Sequence, residues 1–554
     1  MKFLPSTCLA RLVLSCALVA ALASCANAAE QIAKPKLLVF LVADGLPQRQ
    51  ITSYRDQLAP DGFARFLERG NWFSEAHYGH SFTVTAAGHA TMLTGAYPHR
   101  TGIIGNGWRD PQTGALVYNT GDTSATYIGH KTNALDGTSP KNLKVETVGD
   151  VLRRAEPNSK VIAISGKDRG AIFPAGKSGT AYMYMAATGE FASTTHYMNE
   201  HPAWAIAYSA TKPADRYFKA EWKALLPEAA YAQSLLDKQP WYAPGGALPM
   251  LMGTPNDTAP NPAFYAALMR SPFGDALTLD FARAAIKGEQ LGQRGVPDVL
   301  AVSLSSHDYV NHAFSAESRL SHDHTLQLDR LLQAFFKDLD ATIGKDNYAV
   351  VLTADHGFMP APQVSAAQGL PSGRAVSSDV LGRINAGLSQ RFGDGKWAMG
   401  FSASSLLLDK KLMAQKGVDA NAVASLARTL LLAEPIIAAA YTQRELQVAA
   451  SDRPTPATAP LFEAMRKSWH ADVSGEVQFA VKPNWMFGST PATHGSPYRY
   501  DTHVPLLVYG PKWFRPGRID TPVEIIDIAP TLAGLLGVPA PAASEGRLLP
   551  LLRP

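Results

Sequence analysis

The chain has 554 residues, enough for a large buried core, and its 46% hydrophobic and 18% charged content excludes both a disordered chain and a polytopic membrane protein. Its formal charge of +4, from 51 Lys and Arg against 47 Asp and Glu, comes without a basic run, which excludes nucleic acid as a structural partner. At the N-terminus, Lys2 and Arg11, the apolar run 12–22 and small residues through Ala29 make the three-part layout of a secretory signal peptide, assigned to residues 1–28. A periplasmic or secreted protein is expected. Two processing routes stay open: cleavage after Ala28, or lipidation at Cys25 to an outer-membrane lipoprotein, since Leu22-Ala23-Ser24-Cys25 resembles a bacterial lipobox. The run is shorter than the roughly 20 apolar residues of a transmembrane helix, so no span is predicted. Cys8, Cys16 and Cys25, the three cysteines, all lie in this segment, so any metal in the body of the chain must be held by His and carboxylate.

Five apolar, β-branched runs follow, at 36–42, 160–164, 298–304, 348–353 and 503–509, and each reads as a buried, parallel strand. Helical periodicity separates them, most clearly over 318–343, where Leu320, Leu328, Leu331, Leu332, Phe335, Phe336 and Leu339 recur at intervals of three and four. This alternation predicts an α/β fold with a mostly parallel central sheet and helices on both faces. Residues 33–554 are read as one catalytic domain, with insertions at about 171–290 and 360–488 that cap the site.

The strand ends carry the informative residues. Asp44 and Gly45 follow the first run, Asp308 and His312 the third, and Asp355-His356-Gly357 the fourth, while His494 precedes the last. In open α/β sheets a site forms beyond the carboxyl ends of strands, so these side chains can converge from distant parts of the chain. Alone, Asp44 before Gly45 would make a turn and His312 a bonded core histidine; together at strand ends they point to metal. Imidazole with carboxylate and no thiolate suits Zn²⁺ or a similar transition ion, and six ligands suit two ions about 3.5–4 Å apart.

Residues 81–95 form a polar loop passing into a short helix, where a threonine hydroxyl faces a helix N-terminus and, with metal beside it, can serve as nucleophile. Spacing alone does not choose between Thr83 and Thr85.

With these pieces in order, the chain resembles the alkaline phosphatase superfamily, specifically its phosphate-irrepressible, Thr-nucleophile type. The matching segments are Val42-Ala43-Asp44-Gly45, Thr85-Ala86-Ala87-Gly88-His89-Ala90, Thr101-Gly102-Ile103-Ile104-Gly105-Asn106, Ser165-Gly166-Lys167-Asp168-Arg169, Asp308-Tyr309-Val310-Asn311-His312, Thr353-Ala354-Asp355-His356-Gly357 and Thr493-His494-Gly495-Ser496-Pro497. The resemblance implies Thr85 as nucleophile, Asp308, His312 and His494 around one zinc, and Asp44, Asp355, His356 and the Thr85 oxygen around the other. It also implies that Asn106, Lys167 and Arg169 clamp the nonbridging phosphate oxygens. If Lys167 to Arg169 is extended, those two cations point the same way while Asp168 turns aside. Two cations, an amide and two metals complement the dianionic phosphate of a monoester better than a diester. The expected activity is therefore zinc-dependent alkaline phosphomonoesterase through a phosphothreonine, acting on small-molecule phosphate monoesters. A phosphodiesterase or nucleotide pyrophosphatase of the same superfamily, and a non-catalytic phosphate-binding protein, are the competing readings. Ala87, His307, Asn311 and Ser315 depart from the family's usual residues without removing a ligand.

Overall fold

The computed structural model describes residues 33–552 apart from 449–452, 456–458 and 460, so the export segment and Cys25 lie outside the described residues. Residues 35–554 cluster as one compact unit. Its centre is a nine-stranded sheet made of β1 (Leu37–Ala43), β2 (Asn71–Phe73), β3 (Val161–Ser165), β4 (Thr180–Met185), β5 (Glu190–Ala192), β6 (Asp298–Leu304), β7 (Tyr348–Thr353), β8 (Leu506–Tyr509) and β9 (Gly517–Ile519). Across the sheet the order is β9-β2-β8-β7-β1-β6-β3-β4-β5.

Leu-Leu-Val-Phe-Leu-Val-Ala in β1 has no polar face, and all seven residues are buried, so both faces of the strand are covered. Each large apolar side chain buried there contributes about 1.5–3 kcal/mol. β7, β1, β6 and β3 are parallel neighbours as the apolar runs predicted, and β4, which no predicted run marked, extends them in parallel. The last expected strand differs: β8 runs antiparallel to β7. An apolar run reports burial on both faces but carries no signal of direction, which the long connection from β7 sets here.

The segment 171–290 is likewise not wholly an insertion. It supplies β4 and β5 at the sheet edge and the helix Pro272–Glu289, which packs on β6. The segment 360–488 does carry its own sheet, of strands Ala398–Ser402, Ser405–Leu408, Val477–Val481 and Ile437–Thr442 in that order, over a separate core that includes Trp397, Leu406 and Leu431.

Five helices position the site and its supports: α1 (Thr85–Thr94), α2 (Asp168–Ala175), α3 (Pro272–Glu289), α4 (Ser306–Phe314) and α5 (Arg319–Thr342). α5 fits the predicted 318–343 periodicity, with the Ser318 hydroxyl capping the Ser321 N–H and Leu320, Leu328, Leu332, Phe335, Phe336 and Leu339 buried. Among the described residues no helix is long and apolar enough to cross a membrane.

Candidate active site

Register brings the functional residues to one edge. Val42 pairs with both Ser303 and Thr353, so β1, β6 and β7 end nearly level. Asp44 leaves β1 directly, its N–H bonded to the Leu304 carbonyl at 2.9 Å, and Gly45 takes φ +69° to turn the chain away. Gly45 in turn donates its N–H to Asp355 Oδ1 at 3.0 Å, which ties the ends of β1 and β7 together. Asp308 and His312 lie one turn apart on α4 and therefore share a face.

The histidines are oriented by the backbone. His312 Nδ1 lies 3.1 Å from the Ala492 carbonyl, His494 Nδ1 2.9 Å from that of Thr83, and His356 Nδ1 2.9 Å from that of Gly357. A carbonyl oxygen only accepts, so each Nδ1 carries the proton and, in the neutral ring, each Nε2 presents a lone pair. Those lone pairs face carboxylates. His312 Nε2 and His494 Nε2 stand 3.4 and 3.7 Å from Asp308 Oδ1. His356 Nε2 stands 3.6 Å from Asp44 Oδ1 and 3.5 Å from Asp355 Oδ2, with Thr85 Oγ1 also at 3.5 Å.

Acceptors facing acceptors need a cation between them. Asp44 Oδ1, Asp308 Oδ1 and Asp355 Oδ2 are buried and take no hydrogen bond. Lys167 Nζ bridges Asp44 Oδ2 at 2.7 Å and Asp308 Oδ2 at 2.5 Å, which leaves three buried carboxyl groups against one ammonium. Burial, and then the neighbouring Asp355, push the Asp44 carboxyl well above the usual carboxylate range despite Lys167. Burial acts the same way on Asp308, but Lys167 and the three histidines hold it well below that range. Burial lowers His356 and His494, which keeps both imidazoles neutral and fit to ligate. Within this site two groups have the geometry to hold an ion, Asp308 with His312 and His494, and Asp44 with Asp308 and His356. Asp355, expected as a ligand of the second ion, lies outside that second group and reaches it through the 3.5 Å approach to His356.

Thr85 opens α1, so its hydroxyl sits where the first peptide N–H groups of the helix are unpaired. Thr83 is used differently: its hydroxyl donates to the Ser496 carbonyl at 2.9 Å. The Ala86 N–H donates to Asn106 Oδ1 at 2.9 Å, which fixes the amide and leaves its Nδ2 hydrogens as donors. Lys167 is extended, but Arg169 occupies the first turn of α2 rather than an extended strand. Asp168 does turn aside, to the Tyr118 hydroxyl at 2.9 Å and the Gly137 N–H at 3.0 Å, while Arg169 Nη1 lies 3.3 Å from the same hydroxyl.

Sequence reasoning missed His89 and Tyr118. His89 Nδ1 meets the Thr85 carbonyl at 2.9 Å and Asp355 Oδ2 at 3.2 Å, and its Nε2 meets Ser303 Oγ at 2.8 Å, so it joins α1 to β6 and β7. The signal available was its place one turn after Thr85. The departures His307 and Asn311 belong to one buried network. His307 Nε2 meets Gln50 Oε1 at 2.7 Å, Gln50 Nε2 donates to Ser321 Oγ, that hydroxyl donates to Asn311 Oδ1, and Asn311 Nδ2 donates to the Gly45 carbonyl.

Residues 38–503 match the model of the type I phosphodiesterase / nucleotide pyrophosphatase family. The chain belongs to this family, within the alkaline phosphatase superfamily. It is 34% identical to alkaline phosphatase PhoV of Synechococcus elongatus over 94% of this chain and 93% of that protein. It is 33% identical to alkaline phosphatase PafA of Elizabethkingia meningoseptica, with 93% and 94% covered. The crystal structure of PafA superposes with a TM-score of 0.86 at 31% identity, covering 95% of this chain and all of that one. A second PafA structure is of a mutant in which a threonine became serine and an asparagine, a lysine and an arginine, in that chain order, became alanine.

Proposed function

We propose that the chain is an exported, zinc-dependent alkaline phosphatase that hydrolyses phosphate monoesters through a phosphothreonine at Thr85. The observation that carries this reading is the Thr85 hydroxyl at the open end of α1, 3.5 Å from the His356 Nε2 lone pair and beside three buried carboxylates. Two relatives that this chain matches over more than nine-tenths of its length are named alkaline phosphatases, which supports a monoesterase over a diesterase within the family. The four residue types altered in the PafA mutant are those of Thr85, Asn106, Lys167 and Arg169, in the same order.

Two divalent ions fit the donor set: Asp308, His312 and His494 would hold one, and Asp44 and His356 the other, with Asp308 in reach of both groups and Asp355 and Thr85 each 3.5 Å from His356 Nε2. When bound they supply Lewis acidity, lowering the pKa of the hydroxyl and offsetting charge on the departing oxygen. Thr85 Oγ forms a bond to phosphorus as the ester P–O bond breaks and the alcohol leaves with its oxygen. Water then attacks phosphorus, the P–Oγ bond breaks, and phosphate and free Thr85 result. Asn106 Nδ2, Lys167 and Arg169 bind the nonbridging oxygens, and two cations complement a dianion better than the single charge of a diester. His89 holds the first turn of α1, and so Thr85, against Asp355.

Acid quenching during turnover of a monoester, followed by peptide mass spectrometry, tests the covalent step. Phosphate on the peptide containing Thr85, and none in Thr85→Ala, is expected. Turnover with no phosphopeptide at any quench time contradicts it.

A further inference from the structure

A cavity of 280 Å³ opens between the tip of the hairpin 398–408 and the segment 493–497. Its place relative to the chemistry is set by two walls. His494 lines it and also points Nε2 at Asp308, whereas Thr85, Asp44, Asp355 and His356 do not line it. An in-line displacement needs nucleophile and leaving oxygen on opposite sides of phosphorus. With Thr85 beside His356, a cavity bounded by His494 therefore lies on the leaving-group side. The second wall is Phe82, which with Ala403 packs on Gly105, the residue before Asn106 in the proposed phosphate clamp.

The lining is aromatic. Phe401 meets Phe479 and Phe487 with ring centroids at 5.1 and 5.4 Å, and Trp485 completes the same side. No lysine or arginine lines the cavity among the described residues, so no side-chain cation of its lining would pair with a second phosphate. Its acid, Asp501, spends Oδ2 on the Gly495 and Ser496 N–H groups. The rim is built with strain: Ala403 and Ser404 both take positive φ, +46° and +57°, in a two-residue turn where Gly or Asn is usual. Gln478 Nε2, on the neighbouring strand Val477–Val481, holds the Ser404 hydroxyl at 2.9 Å, so the tip is fixed to its own sheet.

We propose that this cavity receives an aromatic leaving group, making Trp485 and Phe401 specificity-determining residues for aryl or nucleoside monophosphates over alkyl and polyphosphate esters. The assignment rests on the phosphatase reading above, because that reading identifies the leaving-group side. A planar ring fills an aromatic slot without leaving polar groups unpaired.

The test measures calorimetric binding of phenylphosphonate against methylphosphonate to the zinc-loaded protein, for the wild type, Trp485→Ala and Phe401→Ala. Neither probe is an ester and neither needs turnover, and a ratio taken within one variant is independent of its folded fraction. The wild type is expected to prefer phenylphosphonate by about tenfold, and each variant to lose about threefold or more of that preference. Equal affinities in the wild type, or a preference intact in both variants, would overturn the proposal. Phosphothreonine formation at Thr85 is scored separately, so the pocket can fail while the phosphatase reading stands. Adenosine 5′-monophosphate against phenyl phosphate, compared by kcat/KM in the same variants, tells whether the ring sits directly on the ester oxygen or beyond a sugar.

Discussion

Asp275, buried under the start of α4, accepts from the Ser306 N–H at 3.1 Å, and its protonation follows from its partners. Gln50 Nε2 donates to the Ala316 carbonyl and Ser321, so its Oε1 is an acceptor and His307 Nε2 must carry a proton. In the neutral ring His307 Nδ1 is then a lone pair that takes the proton of His324 Nδ1 at 3.2 Å, and His324 Nε2 presents its lone pair to Asp275 Oδ2 at 3.6 Å. A protonated Asp275 matches this order, and burial does push its pKa up to about 7. Burial likewise pushes His307 down to about 3, so it stays neutral. Because the folded pKa of Asp275 is raised, its contribution to stability is fully present below the unfolded value of about 4 and is lost as pH rises through about 7. Melting curves at pH 5 and pH 8 should therefore differ less for Asp275→Asn than for the wild type. An unchanged difference would contradict titration of Asp275 between those pH values.

At the scale of elements, α1 and the end of β7 are packed too closely for any side chain larger than hydrogen at Gly88. A Cβ there would lie 2.1 Å from the Asp355 carbonyl oxygen, a backbone atom that cannot move aside without taking Asp355 and His356 with it. Gly88→Ala should cost about 1–3 kcal/mol in a denaturant melt, and the shift of Thr85 against His356 should cost about 10²-fold in kcat. A variant with unchanged kcat would mean that this contact does not set the position of Thr85.

The same elements show what the sequence made legible. Two of the five predicted strand runs match the observed strands at both ends and two more lie within a residue at each end, because runs such as Asp298–Leu304 have no polar face and can only be buried. Direction was not legible for Leu506–Tyr509, and Thr180–Met185 was obscured because its Tyr and Met residues sit among the Pro- and Trp-rich stretch that follows. Asp44, Asp355 and His356 come together because they directly follow strand ends, whereas Asp308 and His312 arrive on α4 and His494 on the loop before Arg499. His89 and Tyr118 were hidden because their roles depend on partners from distant segments, Asp355 and Ser303 for one, Asp168 and Arg169 for the other, and no spacing records such contacts.

Over the whole molecule, residues 35–554 form one compact unit, and the candidate ion-binding groups join residues from distant parts of it, so ion binding is expected to stabilise the fold. Asp44 and Asp308 share the Lys167 ammonium while Asp355 adds a third buried carboxyl, so without added cations acidic groups crowd the ends of the three central strands β7, β1 and β6. An ion bound at 100 times its Kd stabilises the folded state by about 2.7 kcal/mol. Chelation should therefore lower Tm by several degrees, and zinc should restore it together with activity. A Tm indifferent to chelator would contradict metal in this donor set.

The central claim is that Thr85 attacks the phosphorus of monoesters. Its most direct test is steady-state hydrolysis of p-nitrophenyl phosphate against bis-p-nitrophenyl phosphate, at alkaline pH with zinc, for the wild type and Thr85→Ala. The account predicts a monoester preference in kcat/KM of about 10² or more, with monoester turnover lost in the variant by about 10³-fold or more. A preference for the diester, or monoester turnover that survives without the Thr85 hydroxyl, would contradict it.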